Sequence, residues 1–256
     1  MRFLSHFSMA IALATVGTLA ITAVTQAAEA KKKKPKKVKP PKLDKEFAKL
    51  AGPAQTAVNA TAPEANAMVE ALLAGPWVGN EADFAGQLAI NLGSNLKDKR
   101  LQEKGVNKRL QAGLLQPADV AKMLYYSGTF ARDRGDNATA ETQLKAAIAA
   151  GYVGPAAHLE LANGYSAQKQ HNLSLDYLGQ AIDIQNAAGT QAPEAWYRAA
   201  RDRALATKDR QLYSDWAAKW ADAYPSAASW GDAITAYRFK SQTDGTQNLE
   251  VLRFMK

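Results

Sequence analysis

The sequence predicts an all-α fold in which helical hairpins stack in series, and three observations carry that prediction. Alanine-rich runs with only 10 prolines in 256 residues favour helix, and no stretch alternates apolar and polar residues with the period of a strand. A segment of the second half repeats itself at a shift of 34 residues, the length of a two-helix unit. Prolines at 117, 155 and 193 recur at intervals of 38 residues, each suited to a first helical turn, where the N–H that proline lacks would be unpaired anyway.

The elements in chain order begin with a leader. Residues 1–30 open with Arg2, run through an apolar stretch from Met9 to Val24 and end in the small residues of TQAAEA, the order of a secretory signal peptide. Cleavage after Ala30 satisfies the small-x-small rule through Ala28, and cleavage after Ala27 is a second option. The expected location is therefore periplasmic or exported. The alternative is an inner-membrane anchor, since the apolar run falls only slightly short of the roughly 20 residues a spanning helix needs and lysines follow it directly.

Residues 31–42, KKKKPKKVKPPK, hold Lys31, Lys32, Lys33, Lys34, Lys36, Lys37, Lys39 and Lys42 with no acidic residue. They account for the whole formal net charge of +8, so the rest of the chain is neutral. Like-charge repulsion and three prolines predict an extended, disordered linker. Its lysines are the candidate contact for an anionic membrane or envelope polymer, at about 1 kcal/mol each near lipid. A neutral globular part offers no basic groove, and no nucleic acid is expected as a partner.

Residues 43–117 read as degenerate N-terminal hairpins. Two helices are expected in 44–74 with a break around Ala60 to Pro63, and a further pair in 80–113 with a turn near Asn95 to Asp98, where the small-residue signature of the later repeats is poor. Residues 118–225 carry the repeats. The 34-residue shift superimposes Gly128 on Ala162, Ala140 on Ser174, Leu144 on Leu178, Ala147 on Ala181 and Ile148 on Ile182. Small residues let two helices approach, and large ones fill the space beside them. Gly135-Asp136 and Lys169-Gln170 fall where one helix must end and the next begin. A third unit spans 195–225, opening with Trp196, Ala199 and Ala200. Leu212, Trp216 and Trp220 recur every four residues on one face of its second helix, a spacing read as core. Residues 226–256 suggest a C-terminal hairpin with helices at 226–238 and 249–256, the second still apolar at Leu252, Phe254 and Met255, so that either these side chains fold back on the preceding helix or the array is truncated.

On these residues the chain resembles the tetratricopeptide repeat family, as a bacterial exported member. The first unit keeps Gly128, Gly135, Ala140, Leu144 and Ala147 of the family pattern but has Ser127 and Ala131 where leucine and tyrosine are usual. The second keeps Leu161, Ala162, Tyr165, Leu178 and Ala181 but has Lys169 for the turn glycine. The resemblance implies an α-solenoid whose first helices line a concave groove for a partner peptide or helix. By repeat position that groove would be lined by Tyr125, Thr129, Arg132, Leu159, Asn163, Ser166, Tyr197 and Arg201. The family's basic clamp for a terminal carboxylate is not matched: Tyr125, Thr129, Glu160, Glu194 and Arg198 stand at its positions, and only Arg198 fits.

The expected function is a non-catalytic protein-interaction scaffold of the cell envelope, with an unidentified protein or peptide as partner. The alternative is a tether acting through the lysine tract, and a third reading is an accessory module of a peptidoglycan-acting enzyme. No catalytic residue, metal ligand or cofactor is expected. Cysteine is absent, the 3 histidines (His6, His158, His171) form no ligand motif, and the carboxylates Glu103, Glu141 and Glu160 have no accompanying motif.

Overall fold

The computed structural model describes residues 43–241. The leader, the lysine tract and the 249–256 helix lie outside the described residues. Within them the chain is all-helical, with no strand. The helices are α1 (Lys45–Ala60), α2 (Ala65–Ala74), α3 (Gly79–Leu96), α4 (Lys99–Ala112), α5 (Pro117–Asp133), α6 (Asn137–Ala149), α7 (Ala156–Ala167), α8 (His171–Ala187), α9 (Glu194–Ala206), α10 (Arg210–Ala223) and α11 (Ala227–Ser241). Each packs chiefly on its neighbours in chain order, so α3/α4, α5/α6, α7/α8 and α9/α10 form successive hairpins.

The start of a helix leaves N–H groups without intrahelical partners, and aspartates satisfy them here. Asp44 accepts from the amides of Glu46 and Phe47, Asp98 from Arg100 and Leu101, Asp136 from Thr139, and Asp209 from Gln211 and Leu212. The turns share a second device, one residue in left-handed conformation: Thr61, Lys97, Gly135, Lys169 and Lys208, with φ between 50° and 84°. Lys169 thus adopts the conformation that Gly135 supplies one unit earlier, and the turn is kept without the glycine. Pro117 opens α5, whereas Pro155 and Pro193 stand one residue ahead of α7 and α9 in the capping position.

Close approach within hairpins is set by small residues. A Cβ on Gly128 would lie 2.8 Å from Leu144 Cγ across α5/α6. At the matching place in α7/α8, the buried Ser174 hydroxyl donates to the carbonyl of Ala162 at 2.6 Å. The α3/α4 pair corrects the sequence reading, for it is as dependent on small residues as the others. A Cβ on Gly86 would meet the Gly105 carbonyl at 2.7 Å, and one on Gly93 the Asp98 carbonyl at 2.8 Å. These glycines occupy a different register from Gly128, Ala140 and Ala147, which hid them from a search by repeat position.

The core runs through the array as a series of clusters. Phe47, Val58, Val69, Leu72, Leu92 and Leu101 join α1 to α4; Ile90 and Val106 meet Phe130 of α5; Leu144, Leu161 and Tyr165 join α6 to α7. Leu178 and Ile182 of α8 pack with Tyr197, Ala200, Trp216 and Trp220. The aromatic stripe of α10 is therefore core, and Leu212 is packed at its edge.

Candidate protein-interaction surface

The groove expected from the repeat would lie along α5, α7 and α9. On these helices the eight expected residues divide by depth. Tyr125 and Tyr197 are buried, each closed over by a tyrosine from the loop after a second helix. The Tyr125 ring stacks on Tyr152 with centroids 4.6 Å apart, and burial pushes its hydroxyl pKa up, with Tyr152 and Glu160 adding to the effect. The Tyr197 ring meets Tyr224 edge-on at 5.8 Å, and its hydroxyl accepts from Asn186 Nδ2 at 2.8 Å. Asn186 in turn accepts from the Ala192 amide, and the Tyr224 hydroxyl donates to the Ala192 carbonyl. These tyrosines fasten each first helix to the following loop, and Leu159 is likewise half-buried against the α8/α9 cluster.

The polar members form the accessible part. Thr129 donates to the Tyr126 carbonyl at 2.8 Å, Asn163 is exposed, and Ser166 is half-buried. Arg132 of α5 donates to Glu160 of α7 at 2.6 Å, and Arg203 of α9 donates to Asn163 of α7 at 3.1 Å. Arg201 pairs with Asp202 at 2.6 Å and with Asp232 of α11 at 3.1 Å, its guanidinium 5.3 Å from the centroid of the Trp220 ring. Successive first helices are therefore laced by polar contacts from α5 to α11. Burial pushes the Glu160 carboxyl above the usual carboxylate range, with nearby Asp133 adding to the shift and Arg132 opposing it. Arg203, Asp202 and Asp232 were not among the expected residues. Arg203 and Asp232 find their partners in another unit at a separation the repeat period does not encode, and Asp202 pairs with its neighbour Arg201 on α9.

The three carboxylates weighed for catalysis are all engaged by cations. Glu103 pairs with Arg134, Glu141 with Lys145 at 2.7 Å and with the Tyr165 hydroxyl, and Glu160 with Arg132. The Lys145 hydrogen bond holds the Glu141 carboxyl below its ordinary value, with Tyr165 contributing. The cleft beside Glu141, lined by Arg132, Leu161, Gly164 and Tyr165, has a volume of about 10 Å³. That is the space of one water, against roughly 300 Å³ or more for an ordinary small-molecule site. Among the described residues no group of three or more His, Cys, Asp or Glu side chains could hold a metal ion, and no helix is long and apolar enough to cross a membrane.

No protein-family model matches the chain, and no curated protein matches it. Among solved structures it is similar to one titled the crystal structure of MamA protein, with 14% sequence identity, a TM-score of 0.45, and coverage of 78% of this chain and 94% of that one. A likeness at that level carries no argument about function.

Proposed function

We propose that the chain is a tetratricopeptide-like, non-catalytic scaffold of the bacterial cell envelope that binds a partner peptide or helix along the face of α5, α7 and α9. The observation that carries this reading is the polar lacing of successive first helices, Arg132 to Glu160 and Arg203 to Asn163, which fixes their spacing and leaves hydrogen-bonding groups at one face of a serial hairpin array. A rigid face of that kind suits an extended or helical segment, which gains register from side-chain contacts with several units at once. Thr129, Arg132, Asn163, Ser166 and Arg201 would make the contacts, while Tyr125, Tyr197 and Leu159 would hold the helices that carry them.

The second reading, a tether, rests on the concentration of the whole net charge in residues 31–42. One experiment separates the two. Cells producing the full chain with a C-terminal tag are fractionated and crosslinked, and captured proteins are compared for wild type, the 31–42 deletion, and Thr129→Glu combined with Asn163→Glu. The scaffold reading expects a processed periplasmic species with one saturable protein partner, lost in the double variant and kept in the deletion. An unprocessed membrane species without a partner, released by salt or by the deletion, would replace it with the tether.

A further inference from the structure

The turns inside the hairpins, at residues 61–64, 97–98, 134–136, 168–170 and 207–209, reverse the chain within two to four residues and so gather at one end of the array. Contacts across them agree: Lys99 pairs with Asp133 beside the next turn, and Arg210 lies 4.5 Å from the ring centroid of Phe239 near the close of α11. Three of these turns place a lysine in the left-handed conformation, Lys97, Lys169 and Lys208 with φ of 58°, 60° and 65°, where Gly135 serves the α5/α6 turn. A side chain is strained there and glycine is not. All three lysines are exposed, and among the described residues none of their ammonium groups has a hydrogen bond or ion pair, so no contact within the described fold offsets the strain. An exposed leucine accompanies each one: Leu96 beside Lys97, Leu173 in the first turn of α8, and Leu205 in the last turn of α9, with between 41% and 48% of their surface open. The aspartates at this end are engaged, Asp98, Asp136 and Asp209 by backbone amides and Asp133 by Lys99, while Glu64 has no such partner. The loops between units, at the opposite end, hold no lysine and are flanked by Glu81, Asp119 and Glu194.

We propose that this lysine-and-leucine end of the array is a contact surface for an anionic lipid bilayer, the lysines meeting phosphate headgroups and the leucines entering the boundary with the acyl chains. The pairing of a cation with an aliphatic side chain at each of the three turns selects this partner. An acidic polymer would use the lysines and leave the leucines in water, whereas a bilayer boundary takes both. The contact is distinct from the lysine tract. The Asp44 amide donates to Glu81 at 3.0 Å, which fixes the start of α1 beside the start of α3, and the 18-residue α3 puts about 27 Å between that point and the Lys97 turn. It does not rest on the groove of α5, α7 and α9 either, so the two readings fail separately.

Because the chain has no cysteine, single labelled sites report the contact. In the full chain, Leu173→Cys, Leu205→Cys or, at the opposite end, Val153→Cys carries a bimane label, and vesicles of equal parts phosphatidylglycerol and phosphatidylcholine are added at low salt. Emission from both turn labels is expected to shift to the blue, the Val153 label to stay unchanged, and none to respond to phosphatidylcholine alone. Lys97→Gln, Lys169→Gln and Lys208→Gln in combination are expected to raise the lipid concentration for half the shift by about fivefold for each lysine, with circular dichroism unchanged. Absence of a shift at the turns, or an equal shift at Val153→Cys, would leave any vesicle binding to the tract and overturn the proposal, as would an unchanged midpoint in the triple variant. Displacement of the vesicles by polyglutamate with the same lysine dependence and no blue shift at the turns would assign the end to an acidic polymer and overturn it as well.

Discussion

Replacing Gly105 by alanine tests how tightly the array is built. A Cβ there would lie 2.5 Å from the Gly86 carbonyl oxygen, 2.8 Å from Ile90 Cγ1 and 2.9 Å from the Ile90 amide, where ordinary contact begins at 3.4 Å. Two of the three obstacles are backbone, so a rotamer change cannot relieve them, and α3 and α4 must separate by about 1 Å. Overpacking of this kind costs about 1–3 kcal/mol, and the separation also loosens Ile90 and Val106 where they meet Phe130. Alanine returns up to about 1 kcal/mol through its better helix propensity. The expected net loss is about 1–2 kcal/mol. Gly231 in α11 is the control, because a Cβ there meets nothing within 4 Å and no proline follows it, so Gly231→Ala keeps the propensity gain alone, roughly 0.5–1 kcal/mol. Urea unfolding followed by far-UV circular dichroism reads both, provided the slope is unchanged. The same substitution thus shifts the midpoint in opposite directions at the two sites. A gain at Gly105 equal to that at Gly231 would refute the close approach of α3 and α4.

Other expectations follow from the same contacts. Lys169→Gly and Lys208→Gly remove a left-handed side-chain-bearing residue from a turn, and each is expected to raise the urea midpoint by an amount corresponding to about 0.5–1 kcal/mol. Ser174→Ala deletes the buried hydroxyl bond to Ala162 and is expected to cost about 1 kcal/mol in the same assay. His158 is buried, its Nδ1 has no hydrogen-bond partner, and burial pushes its pKa below the ordinary 6.5. Below that value the unfolded chain binds a proton that the folded one resists, so this contribution is full above pH 6.5 and is lost as pH falls through 6.5 toward the folded pKa. Stability curves from pH 7.5 to 5 are expected to fall more steeply for wild type than for His158→Leu, and parallel curves would contradict the assignment.

The repeats were legible because the 34-residue period places Gly128 with Ala162 and Leu144 with Leu178, and packing reads residue size at those positions directly. The α3/α4 glycines were present in the sequence but out of that register, so the same physics acted unseen. Lys169 shows the converse, since a turn needing one left-handed residue can tolerate lysine at a modest cost and so loses its mark. For the surface, Arg132 of α5 and Asn163 of α7 make contacts across units, to Glu160 and Arg203. Depth was not readable, because Tyr125 and Tyr197 are covered by Tyr152 and Tyr224 from loops whose paths no periodicity describes. The partners of Arg203 and Arg201 depend on how units are offset, which is a tertiary quantity.

The chain-order packing of the helices also bears on how the molecule forms. With almost every contact made to the adjacent helix, closing the structure requires only short loops, and the entropy lost at each step is repaid at once by the hairpin completed. Folding can therefore begin at any well-packed pair and spread outward. Amide exchange is expected to be slowest in α3 to α8, where each helix packs on a neighbour at either side and opening disturbs two interfaces. A binding segment that bridged α5, α7 and α9 would bind three such units together, so its first physical effect would be to slow their separate opening.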